Sequence, residues 1–144
     1  MSTSLGMSDT QEGAGTGAAV ERVGAYRLAL ELSETAWEDG TRIAAEPLLA
    51  QIGPQLVRAV GSIAANIAEG YARLSRRDRI RFYEYALGSA EEARSWYVVA
   101  RRALPSADYE ARLAKLTSIR RLLLTMIRNE RSGEGWKAPA PRAP

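Results

Sequence analysis

The chain contains no cysteine and no histidine. Without cysteine there can be no disulfide and no thiolate metal site, and nothing marks an oxidising compartment. Without histidine the commonest general base and the commonest metal ligand are both missing. A Ser-His-Asp triad, a His-ligated zinc and a Glu-x-x-His di-iron pair are therefore excluded. No apolar run approaches the roughly 18–20 residues that a membrane span requires, and the start lacks a basic-then-apolar signal pattern. The expected location is the cytoplasm. No glycine-rich phosphate loop follows a strand pattern, and no cofactor is expected.

What is present is a chain of 144 residues whose charge is unevenly spread. Residues 1–46 carry three Arg against eight acids, and residues 47–144 carry seventeen Lys or Arg against nine. A basic body suits an anionic partner, although net charge serves solubility as well. The length fits one domain. Residues 1–18 are too rich in Gly, Ser and Thr to bury much and are expected to be disordered, with Met7 as a second candidate start. The Pro- and Ala-rich stretch 132–144 is also expected to be extended or disordered, and Trp136 within it is a candidate docking contact for a protein partner.

Between these ends the periodicity is helical except over 41–53, with helices expected at about 19–39, 54–72, 76–104 and 107–131. On the first, Val23, Tyr26, Leu30, Ser33 and Trp37 form one stripe, widened by Leu28 and Leu32. Trp37 is expected as a core anchor. Asp39-Gly40 reads as a helix stop and 41–53 as a connector, with Pro54 opening the second helix. Leu56, Val60, Ile63 and Ile67 give the second core stripe, and Gly61, Ala64, Ala65 and Ala68 a small-residue face. Ser75 and Asp78 form a capping-box-like start for the third helix, which Pro105 stops. Ile80, Tyr83, Leu87, Ala90, Tyr97 and Leu104 line one side of that helix. Phe82, Ala86, Ala93, Trp96 and Val99 line another, which is more apolar surface than a small monomeric bundle requires and points to a subunit interface. Ser106 is the expected cap of the fourth helix. There Leu113, Leu116, Ile119, Leu123, Met126 and Ile127 face inward, with Arg120, Arg121 and Arg128 on or beside the polar face. The expected fold is an all-α, up-down-up-down antiparallel four-helix bundle.

Two groups could carry chemistry. The link between the second and third helices holds Arg73, Arg76, Arg77, Arg79 and Arg81 against one acid, Asp78. Guanidinium forks suit phosphate oxygens, so this is a candidate nucleic-acid surface, and the alternative is a solvated turn with local ion pairs. Asn66 and Glu69 sit three apart among Ile and Ala, where a buried polar pair fixes helix register. A catalytic use would need partners such as Glu84, Glu91 or Glu92, and without His only an all-carboxylate site is available.

The same residues carry a resemblance. Ser62–Gly70 (S-I-A-A-N-I-A-E-G), Arg73–Ser75 (R-x-S), Arg81–Phe82 and Ala86–Glu92 (A-L-G-S-A-E-E) resemble the four helix bundle protein family. It is also called the large-subunit ribosomal RNA intervening-sequence protein family. Its hallmark reads approximately S-I-P-A-N-I-A-E-G, then a basic hinge, then F-x-x-x-A-x-G-S-x-x-E. Here Ala64 replaces the proline, Val57-Arg58 stands for a basic pair, and the Phe-Pro and Gly-Leu-Thr connector signals are missing. The resemblance implies a bundle that assembles as a ring-like homopentamer with a basic surface, binds nucleic acid (RNA or DNA) and has no enzymatic activity. It implies a structural role for Asn66, Glu69 and Gly70. A distant similarity to the accessory protein of diversity-generating retroelements implies the alternative of a scaffold for a reverse transcriptase and its RNA.

Overall fold

The computed structural model describes Val20 and residues 23–133. The expected disordered ends and the docking role of Trp136 lie outside the described residues. Four helices, α1 (Gly24–Ala45), α2 (Ile52–Ala72), α3 (Arg76–Val99) and α4 (Ser106–Ser132), form a four-helix bundle, and there is no strand among the described residues. Each helix packs on the next, and α1 packs on α4 to close the ring. Ion pairs between neighbours run in antiparallel order: Arg42–Asp108 and Lys115–Glu31 join α1 to α4, and Arg120–Glu91 and Arg131–Glu84 join α3 to α4.

Helix α1 departs most from the sequence pattern. It buries Ala25, Ala29, Leu32, Ala36, Asp39, Gly40 and Ile43. Of the expected stripe, Leu32 is buried and Val23, Tyr26 and Leu28 pack half-buried against the core, whereas Leu30 is 42% and Trp37 71% exposed. Trp37 is thus not a core anchor in the protomer. The reason is steric: the alanine side of the helix lets its neighbours come close, whereas a tryptophan there would hold them apart.

Asp39-Gly40 does not stop α1 either. Asp39 turns inward to partners on α3 and α4, and Gly40 lies where α1 crosses α2 against Gly53. A Cβ on Gly40 would meet Val57 Cγ2 at 2.6 Å, and one on Gly53 would collide with the Gly40 carbonyl oxygen and meet Ala44 Cβ at 2.9 Å. The crossing therefore needs two glycines, and the helix continues to Ala45. A 3-10 turn, Pro47–Leu49, leads to α2, which starts at Ile52 rather than at Pro54. Pro54 still sits in the first turn, where its missing N–H has no intrahelical acceptor to lose.

Helix α2 buries Leu56, Val60, Ile63 and Ile67 as its pattern requires, with Ala59 and Ala64 beside them. Its Gly61 and Ala65 face outward. Ser75 caps α3, its hydroxyl accepting the Asp78 N–H at 3.1 Å. The helix ends at Val99 and passes through a 3-10 turn, Arg101–Ala103. Both stripes of α3 are largely used inside the protomer: Tyr83, Ala90 and Tyr97 are buried, and so are Ala86 and Ala93. Two apolar stripes alone thus do not call for a subunit interface, because α3 packs on both α2 and α4. Ser106 is the first residue of α4 and not its cap, since Pro105 occupies the cap position without a side-chain hydrogen bond. Gly133 closes α4 in the left-handed region (φ 76°), donating its N–H to the carbonyls of Asn129 and Glu130.

The two glycine environments on α2 give a direct test. Gly53→Ala forces backbone apart at the crossing and should cost about 1–3 kcal/mol or more. Gly61, with open space around a Cβ, should accept alanine with a gain of up to about 1 kcal/mol. Denaturant unfolding of both variants measures the difference, and equal effects would contradict this account of the crossing.

Candidate nucleic-acid interface

Helix α2 ends at Ala72, and only Arg73, Leu74 and Ser75 separate it from α3. Arg79, one turn into α3, does not join the surface arginines: its residue exposure is 2%. Its Nε lies 3.1 Å from Glu130 Oε2 of α4. Its Nη1 donates to the carbonyls of Arg73 at 3.1 Å and Leu74 at 2.8 Å. Arg79 is therefore removed from the expected phosphate-binding set, because its guanidinium is committed to satisfying the link and a buried carboxylate. Beside it, burial first and the Glu130 charge second push the Tyr83 hydroxyl up to about 12 from its ordinary value. Gly70 makes this packing possible. A Cβ there would meet Tyr83 Cε1 at 2.8 Å and Phe82 Cβ at 2.9 Å, so any side chain would lever α3 off the end of α2.

The other four arginines remain at the surface of this end. Arg73 pairs with Glu69 and lies 4.8 Å over the Phe82 ring. Arg81 is 3.6 Å from Asp78 and 5.4 Å over the same ring. Arg76 reaches the C-terminus of α4, where a Cβ on Gly133 would meet its Nη2 at 3.1 Å. Arg77 is exposed and has no ion-pair partner among the described residues. Arg131, paired with Glu84 at 2.9 Å, and the exposed Arg128 extend the basic surface along α4.

Asn66 and Glu69 do not form the buried pair that their apolar setting suggests. The Asn66 amide donates to the Ser62 carbonyl at 2.9 Å, and Glu69, half exposed, turns to Arg73. Asn66 is half-buried and Glu69 exposed, beside the buried row of Ile63, Ala64, Ile67 and Gly70. The carboxylates considered for chemistry are dispersed: Glu84 pairs with Arg131, Glu91 with Arg120, and Glu92 accepts from the Trp96 indole at 3.3 Å. Among the described residues no group of three acids is close enough to hold a metal ion.

A second buried polar cluster lies toward the other end of the bundle. Asp39, 1% exposed, accepts the Tyr97 hydroxyl at 2.7 Å and the Arg112 guanidinium twice, at 2.7 and 3.3 Å. Burial, then the hydrogen bond to Asp39, raises the Tyr97 pKa, so that phenol stays a donor. Sequence reasoning missed Asp39, Arg112 and Glu130 as partners. The signal was present in register: Glu130 continues the stripe Leu116, Ile119, Leu123, Ile127, and Arg79 starts the stripe Tyr83, Ala86, Ala90, Ala93, Tyr97.

The inner and outer ion pairs should separate in stability. Glu130→Gln removes the buried carboxylate charge beside the Arg79 guanidinium and should cost about 3–5 kcal/mol. Glu84→Gln, which breaks a solvent-screened pair of the same two helices, should cost less than about 1 kcal/mol. Denaturant midpoints measure both, and similar values would contradict the structural role given to Arg79.

The profile of the 23S rRNA-intervening sequence protein family matches residues 21–125. A crystal structure of a protein of unknown function from the S23 ribosomal protein family of Bacteroides thetaiotaomicron is similar, with a TM-score of 0.67 and 26% identity. The similarity covers 72% of this chain and 98% of that one. No curated protein matches the chain. With a bundle of the same form and a profile match that takes in α1, α2, α3, the hinge between the last two and most of α4, the chain belongs to the 23S rRNA-intervening sequence protein family.

Proposed function

We propose that this protein binds nucleic acid through the hinge end of its bundle, without enzymatic activity and largely without sequence preference. One observation carries the reading: Arg73, Arg76, Arg77 and Arg81 surround the short link at the start of α3, all on the surface. Phosphate contacts of this kind position a strand and read no base. A ring of five copies would repeat the surface and raise the local positive charge, and this assembly, with a cytoplasmic location, belongs to the proposal. No helix among the described residues is long and apolar enough to cross a membrane.

A second reading, a scaffold or accessory subunit of a nucleic-acid enzyme, is favoured by Trp37. Its exposed indole lines an open groove of about 660 Å³ with Gly40, Ala44, Pro54, Val57 and Arg58. A surface of that type suits a protein contact.

Replacing Arg73, Arg76 and Arg77 by Gln removes charge while keeping polarity and helix propensity. Anisotropy titrations of unrelated sequences at several salt concentrations should show uniform weakening. The slope of log affinity against log salt should flatten by about 0.7–0.9 for each phosphate that is no longer neutralised. An unchanged slope, or no binding by the wild type, would overturn the reading. For the second reading, Trp37→Ala should leave the protomer folded yet reduce assembly or partner capture in sedimentation. Unaltered sedimentation, alone and with a candidate enzyme subunit, would remove Trp37 from that role.

A further inference from the structure

The hinge arginines are interleaved with aromatic rings. Phe82 and Tyr85 stand one turn apart on α3, with ring centroids 5.6 Å apart and an interplanar angle of 87°. Arg73 and Arg81 both lie over the Phe82 ring, so its edge-on neighbour Tyr85 is the ring left facing solvent, 52% exposed. Leu74, 84% exposed, adds an apolar side chain to the same link. Gly88, one turn beyond Tyr85, has no side chain, and a Cβ there would meet nothing within 4 Å. The surface one turn beyond Tyr85 is therefore open.

Resting on the phosphate-binding reading above, we infer that the ligand of the hinge is single-stranded nucleic acid, with an unpaired base stacked on Tyr85 beside the Arg81–Phe82–Arg73 stack. The physical ground is access to the base face. In a duplex the bases are stacked on one another and present only their edges in the grooves, so an exposed phenol has no ring to meet. A single strand offers both at once, phosphates to Arg76 and Arg77 and a base face to Tyr85, and stacking tolerates any base. Ribose and deoxyribose strands share this chemistry, because neither the phosphate nor the base face depends on the 2′-hydroxyl.

The test uses the full chain and three labelled probes at one salt concentration: oligouridylate and oligodeoxyuridylate strands of about 15–20 nucleotides, and a blunt duplex of the same length. Wild type should bind both single strands more tightly than the duplex. Tyr85→Ala should weaken single-strand binding roughly 5- to 150-fold and leave the duplex within about twofold, with the salt slope unchanged because no charge is removed. Tyr85→Phe keeps the ring and should bind as wild type. Tyr85→Leu keeps apolar bulk without the π face and should lose affinity as alanine does, which guards against a folding defect in one variant; circular dichroism checks all three. Equal affinity for the duplex, or single-strand binding indifferent to Tyr85→Ala, overturns this inference. If the Arg73, Arg76 and Arg77 replacements still weaken every probe in that case, the phosphate reading stands alone. If wild type binds no probe, both fall. A preference between the two single strands separates an RNA from a DNA ligand and leaves the stacking inference in place.

Discussion

The ion pair between Arg79 and Glu130 governs the hinge end of this molecule. Both side chains are almost fully buried, and removing either takes a charge-matched partner from a group that water barely reaches. Arginine suits the position because one planar fork meets three acceptors, the Glu130 carboxylate and the carbonyls of Arg73 and Leu74. Those carbonyls belong to the link that follows α2, so a single side chain of α3 joins the link to α4. The surface arginines gain a fixed backbone from it. Gly70 serves the same end by letting Tyr83 and Phe82 lie directly on the α2 backbone.

At the far end the Asp39–Tyr97–Arg112 cluster ties α1, α3 and α4 in the same fashion. Between the two clusters the inner faces of α1 and α3 are largely alanine, Ala25, Ala29, Ala36, Ala86, Ala90 and Ala93 among them, packed against bulkier rows on α2 and α4. Such a core brings helices close but offers less apolar area per residue than a leucine core, and two buried, directional clusters specify register where packing alone discriminates poorly. The aromatics divide between inside and outside: Tyr83, Tyr97 and Tyr109 are buried, whereas Trp37 and Tyr85 are exposed. Exposed rings of this kind suit contact with another molecule.

The sequence revealed the bundle and the α2 core because Leu56, Val60, Ile63 and Ile67 are bulky, apolar and in one row. It misplaced the inner face of α1, where hydropathy favours Trp37 and Leu30 but steric closeness selects alanine. The hinge was legible as a charge cluster, yet its members have different tasks. Four arginines stay at the surface, while Arg79, identical in type, is drawn inside by the apolar stripe that it begins. Asn66 and Glu69 misled for the converse reason, since they alternate with the buried Ile63, Ala64, Ile67 and Gly70 on one helix while their own side chains turn to Ser62 and Arg73. No local pattern tells Asp39 that its partner will be Arg112, because that pairing spans two helices that only the closed bundle brings together.

The proposed function joins these points: a hinge held from within by Arg79 presents guanidiniums and one open aromatic ring to an unpaired strand. Zero-length ultraviolet cross-linking of the bound single strand, followed by mass spectrometric mapping, tests this most directly, since photo-adducts form where a base touches a side chain. Adducts confined to the peptides spanning Leu74 to Tyr85, centred on Tyr85, are the predicted result. Efficient cross-linking at the Trp37 groove, with none in the hinge, would contradict it.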